Sequence, residues 1–398
     1  MQAPTSSSTR TVAMAALALA VGGFGIGTGE FAIMGLLPDV AANLHVTAPE
    51  VGHLISAYAM GVVIGAPLIA VLAARVSRSA LLFGLMIWFV LGNFASAIAP
   101  GYYSLMAFRF LTGMPHGAYF GVAALVAASM VSPQRRGQAI GRVMLGLTLA
   151  ALLGNPLATG LGQWLGWRAA FAWVGVIGVI TLFMLRKYVP HQHGEPVSSP
   201  MRELGALRRG QVWFTLGIGA IGFGGMFAVF SYIAPTLTEV TGLLAGYVPL
   251  ALALMGAGMV AGNVVGGWLA DRALIPSIGG VLVWSMLVLG IFPWMALHTW
   301  TALFNVFLVG TIVALAPVLQ IRLMDVAADA QTLAASLNHS AFNMANALGA
   351  WLGGIAITAG YGWTSTGYVG ALMAFAGLVL FGLSVLHIRR VASCEAAA

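Results

Sequence analysis

Long apolar stretches occupy most of this sequence and leave little that could cover the surface of a water-soluble fold. Of the 398 residues, 60% are hydrophobic and only 7% are charged, whereas soluble domains carry about 25% charged residues. A water-soluble fold with this composition would expose large apolar patches to water. We therefore expect the chain to fold in a lipid bilayer as an all-α integral membrane protein.

Twelve of these stretches are long enough to cross a bilayer as helices, which takes about 20 mostly apolar residues each. A cleaved signal peptide is the alternative for the first stretch, but that stretch is longer than a signal-peptide core. The expected spans are Thr11–Leu37, Val51–Ala74, Ser79–Ala99, Tyr102–Val131, Gln138–Leu161, Trp167–Leu185, Val212–Leu237, Gly246–Ala270, Ile275–Leu297, Thr301–Leu323, Thr332–Thr358 and Thr364–Leu386.

Basic residues cluster between the spans and sort to one side of the membrane. With the N-terminus in the cytoplasm, all of the 17 Lys and Arg residues except Arg109 and Arg168 fall on the cytoplasmic side. This is the positive-inside pattern, and omission of one span would scramble it. We expect a multi-pass protein with both termini cytoplasmic. The net charge of +7 reflects this sorting, and no nucleic-acid partner is expected.

The two halves of the chain repeat each other at an offset of about 197 residues, and with six spans each they share one orientation. We expect an N-terminal six-helix half at 1–188, a cytoplasmic linker at 189–210 and a C-terminal six-helix half with a short cytoplasmic tail at 211–398. The coinciding pairs are Pro38 with Pro235, Gly61 with Gly258, Gly65 with Gly262, Arg75 with Arg272, and Gly113 with Gly310.

Two charged residues lie inside expected spans, where charge is costly and marks a candidate functional site. Glu30 is eight residues from Pro38 and Arg109 is seven from Tyr102, so both lie about 10–12 Å below the outer surface. At the repeat offset, Glu30 falls on an apolar residue, Phe227. Burial favours the protonated form of a carboxyl group, so Glu30 is the predicted proton-coupling acid with Arg109 beside it. A structural ion pair is the alternative.

Other polar residues in the spans are candidates to line a substrate cavity. His339, Asn343 and Asn346 follow one another at helical spacing on the eleventh span. Hydrogen bonding between helices is the alternative reading for these side chains. The remaining cavity candidates are Tyr58, Asn93, His116, Tyr119, Tyr232 and Asn338.

The sequence carries no phosphate-binding loop, no nucleophile elbow and no metal-ligand motif. Its one cysteine, Cys394, is close to the C-terminal end. We therefore expect a non-enzyme without cofactor or metal. The chain is expected to act as a monomer on a small-molecule substrate, and the buried acid Glu30 favours a proton gradient as the energy source. A passive channel and a membrane-embedded enzyme stay open as alternatives.

Three motif regions resemble those of the major facilitator superfamily of transporters. Residues 70–78 carry Arg75 and Arg78 where the family loop reads G-x-L-A-D-R-x-G-R, and the second-half copy at 266–272 includes Asp271 and Arg272. Residues 109–113 resemble the R-x-x-x-G element. Residues 154–160 resemble the antiporter motif of the fifth helix, with Gly154, Pro156 and Gly160 present and Asn155 in place of a glycine.

Four further segments, at 27–31, 34–38, 115–121 and 343–349, resemble the bacterial arabinose-efflux-permease and chloramphenicol-resistance type of drug:proton antiporter. The resemblance implies two pseudo-symmetric six-helix halves that alternate access to a central cavity. It also implies proton-driven export across a bacterial inner membrane, with conformational roles for the loop arginines and the fifth-helix motif. No residue encodes the direction of transport, so a proton-linked importer stays open.

Overall fold

The computed structural model describes residues 9–73, 76–132, 135–190, 208–327 and 331–397. Within these ranges, the regular structure is entirely helical. Helices satisfy their own backbone hydrogen bonds, as a chain inside hydrocarbon must. Most of the linker expected at 189–210, and Arg75, lie outside the described residues.

Six helices form the first half, and the fifth contains a π-helical turn. A short helix, Leu37–Leu44, follows the first of them. The six are α1, Thr9–Gly35; α2, Ala48–Leu72; α3, Arg78–Ala97; α4, Tyr102–Ser129; α5, comprising Arg136–Leu149, the π turn Ala150–Gly154 and Asn155–Leu165; and α6, Trp167–Tyr188.

The helices of the second half contain more irregular turns and breaks than those of the first half. Its helices are α7, comprising Gly210–Gly217, the π turn Ile218–Gly222 and Gly224–Ser231, with a further turn at Ile233–Pro235; α8 and α9, within Val248–Met295; α10, comprising Thr299–Thr311, the 3₁₀ turn Ile312–Ala314 and Leu315–Ala327; α11, Gln331–Ala356; and α12, Ser365–Ala397.

The described helices account for twelve membrane spans. Ten stretches are long and apolar enough to cross a bilayer. One of them, Ala245–Met295, has 51 residues, or about 76 Å of helix, which is more than twice a hydrocarbon core. It breaks at Ala273, whose φ of −156° and ψ of 70° are not helical, so it supplies α8 at 248–272 and α9 at 274–295. Division of this stretch raises the number of spans from ten to eleven. The twelfth span is α11, with its polar face.

Glycines place the second and fourth helices of each half in direct backbone contact, and the contacts repeat between the halves. A Cβ on Gly61 would collide with the carbonyl oxygen of Phe110, and one on Gly258 would collide with that of Phe307. Such crossings are typical of helices packed in lipid, where close approach of backbones drives association. These are the positions that coincide in the sequence repeat, so the same crossing is built twice.

The same correspondence holds one helical turn further along. A Cβ on Gly113 would collide with the Tyr58 carbonyl oxygen, and one on Gly310 with the Met255 carbonyl oxygen. Gly113 and Gly310 lie 197 residues apart in the chain, and so do Tyr58 and Met255. The parallel repeat expected from the sequence is therefore present in the packing of α2 on α4 and of α8 on α10.

The halves meet through α2 against α11 and α5 against α8. These contacts run from the interior of the bundle to the end opposite the termini. Ser56 donates a hydrogen bond of 3.0 Å to the carbonyl oxygen of Ala347, and Gln163 donates one of 3.0 Å to that of Ala245. The halves are therefore closed against each other at this end.

Candidate functional site

The candidate site is built around Glu30 on α1, a helix that its neighbours approach closely. Gly27 packs against Leu147 and Ala150 of α5, and Gly29 packs against Val174 of α6. Small residues on α1 let these backbones come near. Glu30 is consequently only 5% exposed, although it lies between lipid-spanning helices where charge is costly.

Arg109 on α4 is fully buried, and its guanidinium binds the main chain of α1. Its Nη1 donates to the carbonyl oxygen of Gly29 at 2.7 Å, and its Nη2 donates to that of Glu30 at 3.4 Å. The expected proximity of Arg109 and Glu30 is therefore present, with main-chain oxygens as the hydrogen-bond acceptors. Arg109 fixes the backbone from which the Glu30 side chain projects.

The face of the Arg109 guanidinium rests on aromatic rings. Its central carbon lies 4.3 Å from the centroid of the Tyr58 ring and 5.5 Å from that of Phe171. A cation over an aromatic face is stabilised by the ring quadrupole, most strongly where water is excluded. Tyr58 on α2 and Phe171 on α6 thus hold the guanidinium in place between three helices.

The Glu30 carboxyl group reaches across to the second half of the molecule. Nδ2 of Asn346 on α11 donates a hydrogen bond of 3.1 Å to Oε1 of Glu30. Asn346 is 1% exposed. The acid is thus held through its main chain by the first half and through its side chain by the second.

A line of ring contacts runs from Tyr58 to the same helix of the second half. The Tyr58 hydroxyl lies 3.1 Å from Nδ1 of His116, and His116 packs on Phe120 with ring centroids 5.3 Å apart. Phe120 in turn stacks on His339 of α11 at 5.4 Å and an interplanar angle of 10°. Four of the predicted site residues, namely Tyr58, His116, His339 and Asn346, therefore lie along the junction of the halves with Glu30 and Arg109.

Phenylalanines form the apolar part of the junction, and the sequence analysis missed them as site residues. Phe31, next to Glu30, lies 5.5 Å from Phe230 and 6.5 Å from Phe227 of α7, measured between ring centroids. All three side chains are buried. The available signal was the repeat itself, because Phe227 is the residue that coincides with Glu30 at the offset of 197.

Other predicted cavity residues lie within one half and bond there. Tyr119 donates to the carbonyl oxygen of Leu19 on α1, and Asn93 donates to that of Phe89 on its own helix. In the second half, Asn338 donates to Gln320, Asn343 to the carbonyl oxygen of His339, and Tyr232 to that of Ala350. Tyr232 also lies close to Gly52 of α2, at the closed end of the bundle.

Comparison with known proteins assigns the fold to a family. The sequence profile described as Major Facilitator Superfamily matches residues 19–324. The chain belongs to the Major Facilitator Superfamily. It is 42% identical over 370 residues to the inner membrane transport protein YdhP of Escherichia coli K12, covering 92% of this chain and 95% of YdhP.

Two further members of the superfamily match along nearly the whole chain. A chloramphenicol resistance protein of Streptomyces lividans is 34% identical over 377 residues, covering 92% of this chain and 94% of that protein. The structure of a bacterial homologue of the human lysosomal transporter Spinster, in an inward-facing and occupied conformation, superposes with a TM-score of 0.77. It is 17% identical and covers 95% of this chain and 98% of that one, so it shows the shared fold. The predicted superfamily and twelve-helix architecture are confirmed.

The superfamily motifs on α5 occupy a point where the helix changes its winding. Gly154 ends the π turn and packs on Thr28 of α1, and Pro156 lies in the first turn of the segment that follows. Gly160 then faces Pro249 of α8. A π turn inside an α-helix is often found at functional sites. The predicted conformational residues of α5 thus lie where α5 contacts both α1 and the second half.

Of the predicted loop residues, Arg78, Asp271 and Arg272 belong to the described part of the chain. Arg78 begins α3. In the second half, Asp271 and Arg272 precede the break at Ala273, and the Arg272 guanidinium lies 3.9 Å from the centroid of the Trp268 ring. The second loop motif of this superfamily member therefore lies at the joint between α8 and α9.

Proposed function

We propose that this member of the Major Facilitator Superfamily is a proton-coupled antiporter that exports small solutes across a bacterial inner membrane. The observation that carries the proposal is the position of Glu30. Its carboxyl group is buried at the junction of the halves, where Asn346 of the second half donates to it, and the buried Arg109 of the first half binds its main chain. An acid in such a place can exchange its proton with water only when the halves move.

Arg109 has a definite part in this scheme. Its positive charge next to the acid offsets part of the cost of ionising Glu30 in a dry site. Because it is bonded to main-chain oxygens, it stays in place when the carboxyl group gains or loses a proton. Glu30 loads a proton while the site faces one side of the membrane and releases it on the other side.

The junction also favours a class of cargo. Phe31, Phe227 and Phe230 supply aromatic faces, and Asn343, Asn346 and His339 supply a small number of polar groups nearby. Binding sites for small molecules combine these features. They suit a lipophilic or amphipathic solute, and the resemblance to a chloramphenicol resistance protein of Streptomyces lividans supports export of such compounds.

The distribution of charge supports one orientation in the membrane. With both termini in the cytoplasm, the basic residues obey the positive-inside pattern, and the closed end of the bundle faces the periplasm. The name of YdhP, an inner membrane transport protein, supports the same membrane. In this orientation the halves are closed on the periplasmic side.

A growth screen with toxic lipophilic compounds tests the proposal in a strain that expresses the protein. We expect resistance to at least one compound, and we expect Glu30→Gln to abolish it. Glu239→Gln is the matched control, because Glu239 is an exposed acid near the closed end, and it should protect like the wild type. Membrane abundance of each variant is measured on the same cells.

Purified protein in proteoliposomes then decides the direction and the coupling. An imposed proton gradient should drive the identified compound against the direction of proton flow, and Glu30→Gln should remove the response to the gradient. Movement of compound and protons in the same direction would establish an importer. Single-channel currents would establish a channel, and full proton-driven transport by Glu30→Gln would contradict the proposed role of Glu30.

A further inference from the structure

The hydrogen bond between Asn346 and Glu30 joins the two halves at the acid itself. Asn346 Nδ2 donates to Glu30 Oε1 at 3.1 Å, and both side chains are buried. The other atom of the amide, Oδ1 of Asn346, has no hydrogen-bond partner among the described residues. A buried acceptor without a donor is costly, so the pair lacks one hydrogen bond in this arrangement.

The proton of Glu30 can supply this donor, because the carboxyl group already contacts the amide of Asn346. Arg109, the charged group facing Glu30 from α4, donates from Nη1 and Nη2 to the carbonyl oxygens of Gly29 and Glu30, and its Nε has no hydrogen-bond partner among the described residues. Tyr58, the titratable group facing it from α2, has its hydroxyl against His116. On α11, His339 is stacked on Phe120.

We propose that Asn346 couples the proton on Glu30 to the association of the two halves, an inference that rests on the proposed antiport function. A protonated carboxyl group both donates and accepts, as does a primary amide. Protonated Glu30 can accept from Nδ2 of Asn346 and donate its O–H to Oδ1. Ionised Glu30 only accepts, which leaves Oδ1 unpaired and a negative charge in a dry junction.

The closed arrangement is therefore stabilised when Glu30 carries the proton and weakened when the proton leaves to water. Since α1 and α11 belong to different halves, the proton contributes directly to the balance between closed and open states at the end opposite the termini. Asn346 is a positioning residue in this scheme: it acts through Glu30 and binds it only while the halves are together.

The repeat shows that the architecture alone does not require this pair. At the offsets that align the halves, Glu30 coincides with Phe227 and Asn346 with Ala151. The equivalent positions of the opposite helices thus hold apolar residues. Among the described residues, Ser56 and Gln163 also bond across the halves, but to main-chain oxygens, whereas Asn346 and Glu30 bond through their side chains.

Spin-label distance measurements on the full chain test the proposal. The native thiol is removed by Cys394→Ser, and labels are attached after Ala42→Cys in the first half and Tyr361→Cys in the second. Both residues are exposed and lie at the end opposite the termini. The two distance populations report the closed and separated states. They are measured at about pH 5 and about pH 8, because protonation of a buried acid is favoured at the lower pH and its ionisation at the higher pH.

In the otherwise native protein, we expect the short distance to dominate at the lower pH and the long distance to gain at the higher pH. Glu30→Gln should keep the short distance at both, because its amide donates and accepts at every pH. Asn346→Ala should lower the ratio of short to long by about a factor of ten at the lower pH. In the double variant Glu30→Gln/Asn346→Ala, the short distance should no longer dominate at both pH values.

Asn305→Ala is the matched control, because Asn305 is a buried asparagine whose amide bonds within the second half, to the carbonyl oxygen of Val288. It should leave the distances unchanged. The proposal is overturned if Asn346→Ala behaves like Asn305→Ala, or if Glu30→Gln has the same effect with and without Asn346→Ala. A pH response that disappears in His339→Gln would also overturn it, since His339 would then be the titrating group.

These outcomes are separate from those of the antiport proposal. Proton-driven transport by Glu30→Gln would remove the acid from energy coupling whatever the distances show. Conversely, loss of transport in Glu30→Gln together with unchanged distances in Asn346→Ala would leave the antiport mechanism in place and remove Asn346 from it. Melting temperatures of all variants in detergent identify any that fail to fold.

Discussion

The guanidinium of Arg109 rests on the ring of Tyr58, with its central carbon 4.3 Å from the ring centroid. This contact joins α4 to α2 directly beside the main chain of Glu30, which Arg109 also binds. The tyrosine has a second function, because its hydroxyl is hydrogen-bonded to His116 at 3.1 Å. The two functions can be separated by substitution.

Tyr58→Phe should retain most proton-driven transport, whereas Tyr58→Leu should reduce it by about tenfold or more. Phenylalanine keeps an aromatic face for Arg109 and loses only the hydroxyl, while leucine removes an interaction worth about 2 kcal/mol in a desolvated site. The measurement is initial transport rate in proteoliposomes under a fixed proton gradient. Equal rates for the two variants would show that the ring face does not position Arg109.

Arg109→Lys should lower proton-driven transport by at least about tenfold while leaving the protein folded. A lysine presents a compact charge instead of a planar fork, so it cannot bind the Gly29 and Glu30 carbonyl oxygens in the same way. Each lost hydrogen bond to a charged group is worth about 1.5–3 kcal/mol. Transport rate and melting temperature are measured together on the purified variant.

The control for this substitution is Arg168→Lys. Arg168 also donates to a main-chain oxygen, that of Ala99, and it lies on the first turn of α6, away from Glu30. Transport by Arg168→Lys should remain close to the wild-type rate. Comparable losses in the two variants would show that the effect is a general consequence of replacing arginine.

Gly113→Ala and Gly310→Ala should each destabilise the protein, and by similar amounts. Each new methyl group would collide with a carbonyl oxygen of the neighbouring helix, and overpacking of this kind costs about 1–3 kcal/mol. Gly84→Ala is the control, since a Cβ there has open space around it and alanine favours the helix. Thermal melting in detergent should show a drop for the first two variants only. A drop in only one of them would show that the crossings are not equivalent.

Much of the fold could be predicted from the sequence because lipid imposes simple rules. The spans follow from apolar length, and the glycines that mark the sequence repeat are those that bring α2 onto α4 and α8 onto α10. The depth of Glu30 and Arg109 could be counted along each helix from its expected end, and the two residues do meet.

The partners of the site residues could not be predicted in the same way. Which acceptor Arg109 binds depends on the rotation of α1 about its own axis, and neither composition nor spacing specifies that rotation. Asn346 and Glu30 are 316 residues apart, and their contact exists only after both halves have formed and docked. The phenylalanines of the junction have the composition of any apolar helix, so Phe31 and Phe230 carried no local signal.

Phe31→Ala should destabilise the closed arrangement, since Phe31 of the first half packs on Phe227 and Phe230 of the second. Truncation of a buried phenylalanine costs about 3–5 kcal/mol, and here part of the loss falls on the contact between the halves. We expect a lower melting temperature and, for the identified cargo, weaker binding. The matched control is Phe304→Ala, because Phe304 is 57% exposed on the outside of α10, where a membrane helix is expected to face lipid. If Phe304→Ala lowers the melting temperature as much as Phe31→Ala does, then the junction has no special contribution to stability.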